Sequence, residues 1–128
     1  MTDAISVAQS ALSALSTSMA ATANNVANAD TPGYKSQEVR LADGPDGQGV
    51  QVADVARDDA AGGLTPSMVS ALNEAGVYEP TASVVEMSNV DLVRQSVNMV
   101  EASRAFEANV AVIRTADDMA GTLLDLRV

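Results

Sequence analysis

Neither cysteine nor histidine occurs among the 128 residues. Their absence removes thiol nucleophiles, disulfides and the common zinc and copper ligands. It also removes the side chain best suited to proton transfer near neutral pH. Aromatic residues are nearly as scarce: Tyr34, Tyr78 and Phe106 are the whole set. Large aromatics usually dominate core burial, so a chain whose apolar residues are mostly Ala and Val favours long helices with thin apolar stripes. Basic residues are few. Asp and Glu number 17 against 7 Lys plus Arg, the net charge is −10, and Lys35 is the only lysine. Binding to nucleic acid or to an anionic membrane surface needs basic patches, so both are excluded as partners. No run of residues is apolar enough to span a bilayer. The N-terminal residues do not read as a signal peptide either, because Asp3 stands near the start and Ser, Thr and Gln interrupt the apolar positions up to Met19. The expectation is a cytoplasmic protein, or one exported by a system that reads no cleavable signal.

What is present falls into three parts: residues 1–29, 30–87 and 88–128. In the first, Ile5, Ala8, Leu12, Leu15, Met19, Thr22 and Val26 are spaced alternately by three and four, with no Gly or Pro between them. That is the stripe of a long helix. Its polar face is Ser, Thr, Gln and Asn, which leaves few i,i+4 ion pairs to hold it alone. In the third part, Ser88 and Asp91 form a capping-box-like pair, with Met87 and Leu92 placed as a hydrophobic staple. Leu92, Met99, Phe106, Val110, Ile113 and Leu124 then follow one stripe, widened by Val93, Val97 and Val100. The predicted helix runs from Ser88 to Leu126. Glu101, Arg104 and Glu107 are spaced to pair along its outer face.

The middle holds most of the Gly and all four Pro. Thr31-Pro32-Gly33-Tyr34 fits a type II turn. Lys35 to Leu41 and Val50 to Val55 can pair around the turn-rich Asp43–Gly49 loop. Arg57 to Gly76 has weak periodicity and reads as loop, disordered before assembly, with a short helix at Ser67–Glu74. The fold expected is mainly α. Long N- and C-terminal helices pair as an antiparallel coiled-coil-like hairpin, and the turn-rich middle can hold a small β-hairpin. Such a pair leaves half its surface wet. Burial of about 1.5–3 kcal/mol per large stripe residue then barely offsets about 1–2 kcal/mol of backbone entropy per residue. Contact with further copies or partners would tip that balance.

Candidate chemistry is thin. Asp117 and Asp118 follow Arg114 at i+3 and i+4, which reads as a solvated, ion-paired helix face rather than an acid–base pair. Asp43 to Gly49 lacks the ligand spacing of a calcium loop, and the Gly runs match no phosphate-binding fingerprint. Lys35 follows a turn and is expected to be exposed, not a catalytic base. No enzyme, cofactor, metal or small-molecule substrate is indicated. Asn24, Asn25 and Asn28 can satisfy the last helix carbonyls, cap a left-handed residue, or bond a neighbouring chain. Arg104 can face solvent or pair with another subunit.

Ala23-Asn24-Asn25-Val26-Ala27-Asn28-Ala29-Asp30-Thr31-Pro32-Gly33-Tyr34-Lys35 closely resembles the N-terminal signature of flagellar rod and hook proteins, and Ala11-Leu12-Ser13-Ala14-Leu15 fits the same region. Ser88-Asn89-Val90-Asp91-Leu92, Val97-Asn98-Met99-Val100, Ser103-Arg104-Ala105-Phe106-Glu107-Ala108-Asn109 and Thr115 through Leu126 resemble the matching C-terminal run. Gln95-Ser96 departs from it, standing where an acidic residue is common. The short middle is most like the proximal rod members.

The resemblance implies a structural subunit of the bacterial flagellar basal body. Its terminal helices would pair in the inner core of a hollow, torque-transmitting tube and be largely disordered before assembly. Implied partners are other copies, other rod proteins and the flagellar type III export apparatus. The implied location is the periplasmic rod. Stripe and signature together nominate an assembly interface: Ile5, Leu12, Leu15, Met19, Asn24, Asn25, Val26, Asn28, Pro32, Gly33, Tyr34, Leu92, Met99, Arg104, Phe106, Asn109, Val110, Ile113 and Leu124. The other class of function open at this point is a coiled-coil adaptor or export-linked binding protein that never polymerises.

Overall fold

The computed structural model describes residues 2–125. Helix α1 (Thr2–Ala27) is followed by strand β1 (Gln37–Asp43), a 3-10 turn (Pro45–Gly47), strands β2 (Val50–Arg57), β3 (Leu64–Leu72) and β4 (Tyr78–Glu86), and helix α2 (Leu92–Asp125). The expected helix end at Leu126 lies outside the described residues. At 1.5 Å per residue α1 is about 39 Å long and α2 about 51 Å.

The mainly α expectation is corrected. The middle is not one small hairpin in a turn-rich segment but two separate antiparallel sheets, β1–β2 and β3–β4. The described residues combine two helices with four strands. The residues read as loop, with a helix at Ser67–Glu74, form β3 instead. Its partner strand lies only a short turn away. Asn73 Oδ1 accepts the backbone N–H groups of Ala75 and Val77 at 3.0 and 2.9 Å, which closes that turn. Every residue of β3 and β4 between Leu64↔Glu86 and Leu72↔Tyr78 is paired. Pro66 and Pro80 are tolerated because both strands are edges, so no ladder beyond them is interrupted.

The start of α2 is also displaced from the expected position. Asp91, not Ser88, caps it: Asp91 Oδ1 accepts from the N–H of Val93 at 2.9 Å and of Arg94 at 3.2 Å. Ser88 Oγ accepts from Val90 N–H outside the helix. With the helix starting at Leu92, Met87 and Leu92 no longer hold the staple positions.

The two helices lie against each other, and β1–β2 packs on α1, whereas β3–β4 packs extensively on neither helix. Ser10 links α1 to β2: its Oγ accepts from Val50 N–H at 3.1 Å and donates to Val7 O at 2.7 Å. The fully buried apolar residues, among those described, are Ala8, Ala14, Ala102 and Ala116. Small side chains of this kind bury little area. The accessible surface of 8864 Å² accordingly exceeds the roughly 6,400 Å² of a compact monomer of this mass.

Candidate assembly site

The sequence motif around the end of α1 folds into a hydrogen-bonded node that joins both helices and both sheets. Asn25 is its centre, 1% exposed. Its Nδ2 donates to Gln37 O at 2.8 Å and to Gln95 Oε1 at 3.2 Å. Its Oδ1 accepts from Gln37 N–H at 2.8 Å and from the Tyr34 hydroxyl at 3.1 Å. A carboxamide offers two donors and two acceptor sites, and all four are used. One side chain in α1 thus holds the start of β1 and the first turns of α2. Gln95, the departure from the family pattern, is the buried acceptor on α2 (6% exposed).

Asn24 and Asn28 act locally. Asn28 Nδ2 donates to Asn24 O and Oδ1, and Thr31 Oγ1 donates to Asn28 Oδ1, which closes the helix end. Pro32 and Gly33 are exposed in the following turn. Gly33 takes φ +70°, a region costly for other residues, and Tyr34 N–H donates to Thr31 O at 3.2 Å.

A second layer ties down the bases of the hairpins. Lys35 is not the exposed residue expected. Its ammonium donates to Ala60 O and to Glu86 Oε1, both at 2.7 Å, and its side chain is 19% exposed. Glu86 Oε1 also accepts from Gly62 N–H at 2.8 Å. The hydrogen bond from Lys35, then that from Gly62, then the Lys35 charge hold the Glu86 carboxyl below its ordinary pKa. Gly62 admits no side chain, because a Cβ there would run into the Met87 carbonyl. Asn89 closes the layer: Nδ2 donates to Asp58 O and Ala60 O, and Oδ1 accepts from Ser36 N–H at 2.7 Å. These bonds engage Glu86 and Asn89 ahead of the helix, and α2 starts after them at Leu92. Glu86, Asn89 and Gln95 were not expected as members, although Asn89 lies in the quoted C-terminal motif and Gln95 departs from it, because Lys35, Ser36 and Asn25 meet them from 51, 53 and 70 residues away.

The nominated stripe residues are distributed differently from a buried seam. Ile5, Leu12, Leu15, Met19, Val110 and Ile113 are half-buried. Val26, Leu92, Met99, Phe106 and Leu124 are exposed, Leu92 at 51% and Leu124 at 70%. The most deeply buried residues among those described are instead Ala8, Ala14, Ala102 and Ala116 with Thr22, Asn25 and Gln95. Asn109 Nδ2 donates to Ala105 O within α2. Arg104 is exposed, and neither it nor Arg114 forms an ion pair among the described residues. The Glu101–Arg104–Glu107 and Arg114–Asp117–Asp118 pairings expected along α2 are therefore not made. Arg94 reaches Glu38 at 3.8 Å, with both side chains about two-thirds exposed (64% and 66%), a pair worth little in water. It borders a groove of about 330 Å³ between the helices and β1, whose wall includes Glu38, Asp58, Asp91 and Glu101.

Comparison with known proteins places this geometry. The family described as "Flagella basal body rod protein" matches residues 5–35, which covers α1 and the turn to Lys35. The family described as "Flagellar basal body rod FlgEFG protein C-terminal" matches residues 81–126, from β4 through α2. The flagellar basal-body rod protein FlgC of Salmonella typhimurium is 35% identical over 127 residues, covering 88% of this chain and 87% of its own. The FlgC of an Escherichia coli strain is 36% identical over 123 residues with the same coverage. The flagellar hook protein FlgE of Escherichia coli matches over 47 residues at 43% identity, 37% of this chain and 12% of that protein. On these matches the chain belongs to the FlgC family of flagellar basal-body rod proteins and is a structural subunit of the rod.

Proposed function

We propose that this subunit assembles through the large apolar side chains of its terminal helices, which meet neighbouring copies and other rod proteins in the wall of a torque-transmitting shaft. The observation that carries this is the division of labour on α1 and α2. The deeply buried positions of the two helices are alanines and polar residues of the Asn25 node, while Leu92, Val97, Met99 and Phe106 of α2 stay between 36% and 51% exposed. Exposed apolar surface on that scale marks an interaction site. The Asn25 node sets the angle at which the hairpins leave the helix pair, so the middle segment lies outside the packed helices. Location in the periplasmic part of the basal body, and export through the flagellar type III apparatus, follow from the same reading. The chain has no catalytic task in it.

The test is a pair of stripe substitutions, Leu15→Asp and Met99→Asp, in flagellated cells carrying no other copy of the gene. Both variants should be expressed at normal level and yield no complete rods and no swimming. Normal rods with either variant would overturn the stripe assignment.

A further inference from the structure

Sheet β3–β4 stands clear of the helices and has two unlike faces, both exposed. Directly opposed residues share a face. The register pairs Pro66 with Val84, Met68 with Ala82 and Leu72 with Tyr78. One face therefore carries Leu64, Met68, Leu72, Tyr78 and Val84, which are 59% to 75% exposed. The opposite face carries Thr65, Ser67, Ala71, Thr81 and Ser83, with Val69, Val85 and Glu79 as its larger members. Charge is sparse and of one sign. Residues 64–86 hold no Lys or Arg. The large-residue face carries only Glu86, which sits at its base and is neutralised by Lys35.

An isolated two-stranded hairpin is marginal in water, and this one exposes its large side chains without cover. Five such side chains present on the order of 600 Å² of surface, at the upper end of what monomers leave open. Covering that patch with an equal area gives on the order of 1,200 Å², the lower limit of specific interfaces.

We propose that in the assembled rod the large-residue face of one copy's β3–β4 hairpin seats on the small-residue face of the hairpin of the next copy. The inference rests on the reading of the chain as a rod subunit. Three features favour a second copy in this arrangement. Bulky side chains on one face meet a face of mostly small ones, so the two surfaces fit without leaving voids. The contact buries no unpaired charge at its centre, and the Glu79 carboxylate, next to the turn, stays at the rim. The contact is also head-to-tail, and repeats of it propagate along a structure whose subunits all point the same way. Packing two large-residue faces together would instead impose a two-fold axis and close the pair.

The absence of cysteine makes the contact testable by cross-linking. Met68→Cys marks the large-residue face and Thr81→Cys the small-residue face. Each full-length variant is expressed alone, or both together, in flagellated cells lacking the native gene. Isolated basal bodies are then treated with a bismaleimide of about 10 Å reach, matched to the spacing of stacked sheets. Co-expression should give a dimer of this chain roughly tenfold above either variant alone, and adding Leu72→Glu to both should reduce it about tenfold, since an uncompensated carboxylate would enter the contact. A dimer from Met68→Cys alone would overturn the head-to-tail arrangement. Cross-linking only to a different protein, or no product from variants that are present in basal bodies, would overturn the contact between copies and leave the rod assignment standing. Absence of even the unmodified chain from basal bodies would overturn the rod assignment itself.

Discussion

Asn25 concentrates more of this structure than any other single residue. Its removal leaves the Tyr34 hydroxyl, both backbone groups of Gln37 and Gln95 Oε1 without their partner. A buried polar group stripped of its hydrogen bond costs about 1–3 kcal/mol, and water entering the space can recover part of that. Asn25→Ala should therefore lower unfolding stability by about 2–4 kcal/mol, measured as the urea midpoint of the purified chain. A change below about 0.5 kcal/mol, the size of an ordinary surface substitution, would show that the node is not structural. Glu86 gives a second residue-level test. Its folded pKa lies below the ordinary value of 4.5. Its contribution is thus complete above that value and is lost as pH falls through the lowered folded pKa. Glu86→Gln should weaken the protein at neutral pH and flatten the fall in stability below pH 4.5; an unchanged acid limb would contradict the pairing with Lys35. The Asn25 motif was legible in the sequence as a motif, but its role was not. Three asparagines near a helix end look alike until the fold brings Gln37 and Gln95 to one of them.

At the scale of elements, the helices were legible and the second sheet was not. Stripes sustained over 26 and 34 residues show both helices in the sequence, although α2 starts at Leu92 and not at Ser88. Strand β3 carries the alternation Leu64, Pro66, Met68, Ser70, Leu72, but Pro and Ser break the apolar series, and the intervening Val and Ala blur it. What makes it a strand is its pairing with Tyr78–Glu86 across the short turn, which the pattern of β3 alone does not show. The same limit displaced the start of α2. Ser88 and Asp91 are both competent caps, and the bonds of Asn89 to Ser36, Asp58 and Ala60 select the later one. Asp91→Ala should cost about 1 kcal/mol in helix stability, read from the denaturation of far-ultraviolet circular dichroism. Ser88→Ala should cost distinctly less, and a reversed order would contradict the cap assignment.

The whole molecule is unusually open for its mass. Its deepest apolar burial falls on alanines, its second sheet is solvated on both faces, and many of its large aliphatic side chains are exposed. A chain this open leaves apolar surface for neighbours to cover, which suits the proposed assembly through its terminal helices. This property was foreshadowed by the near absence of aromatics, which left no residues able to fill a wide core. It was not foreshadowed that the deepest burial in the α1 stripe would fall on its small members, Ala8 and Thr22, and not on its large side chains. The decisive measurement is a cryo-electron microscopy map of the basal body at side-chain resolution, with this chain placed in the rod. Leu92, Met99 and Phe106 should lie in van der Waals contact with adjacent subunits, while Asn25 keeps its bonds to Tyr34, Gln37 and Gln95. Those three side chains facing solvent in the assembled rod, or the chain missing from it, would contradict assembly through the terminal helices.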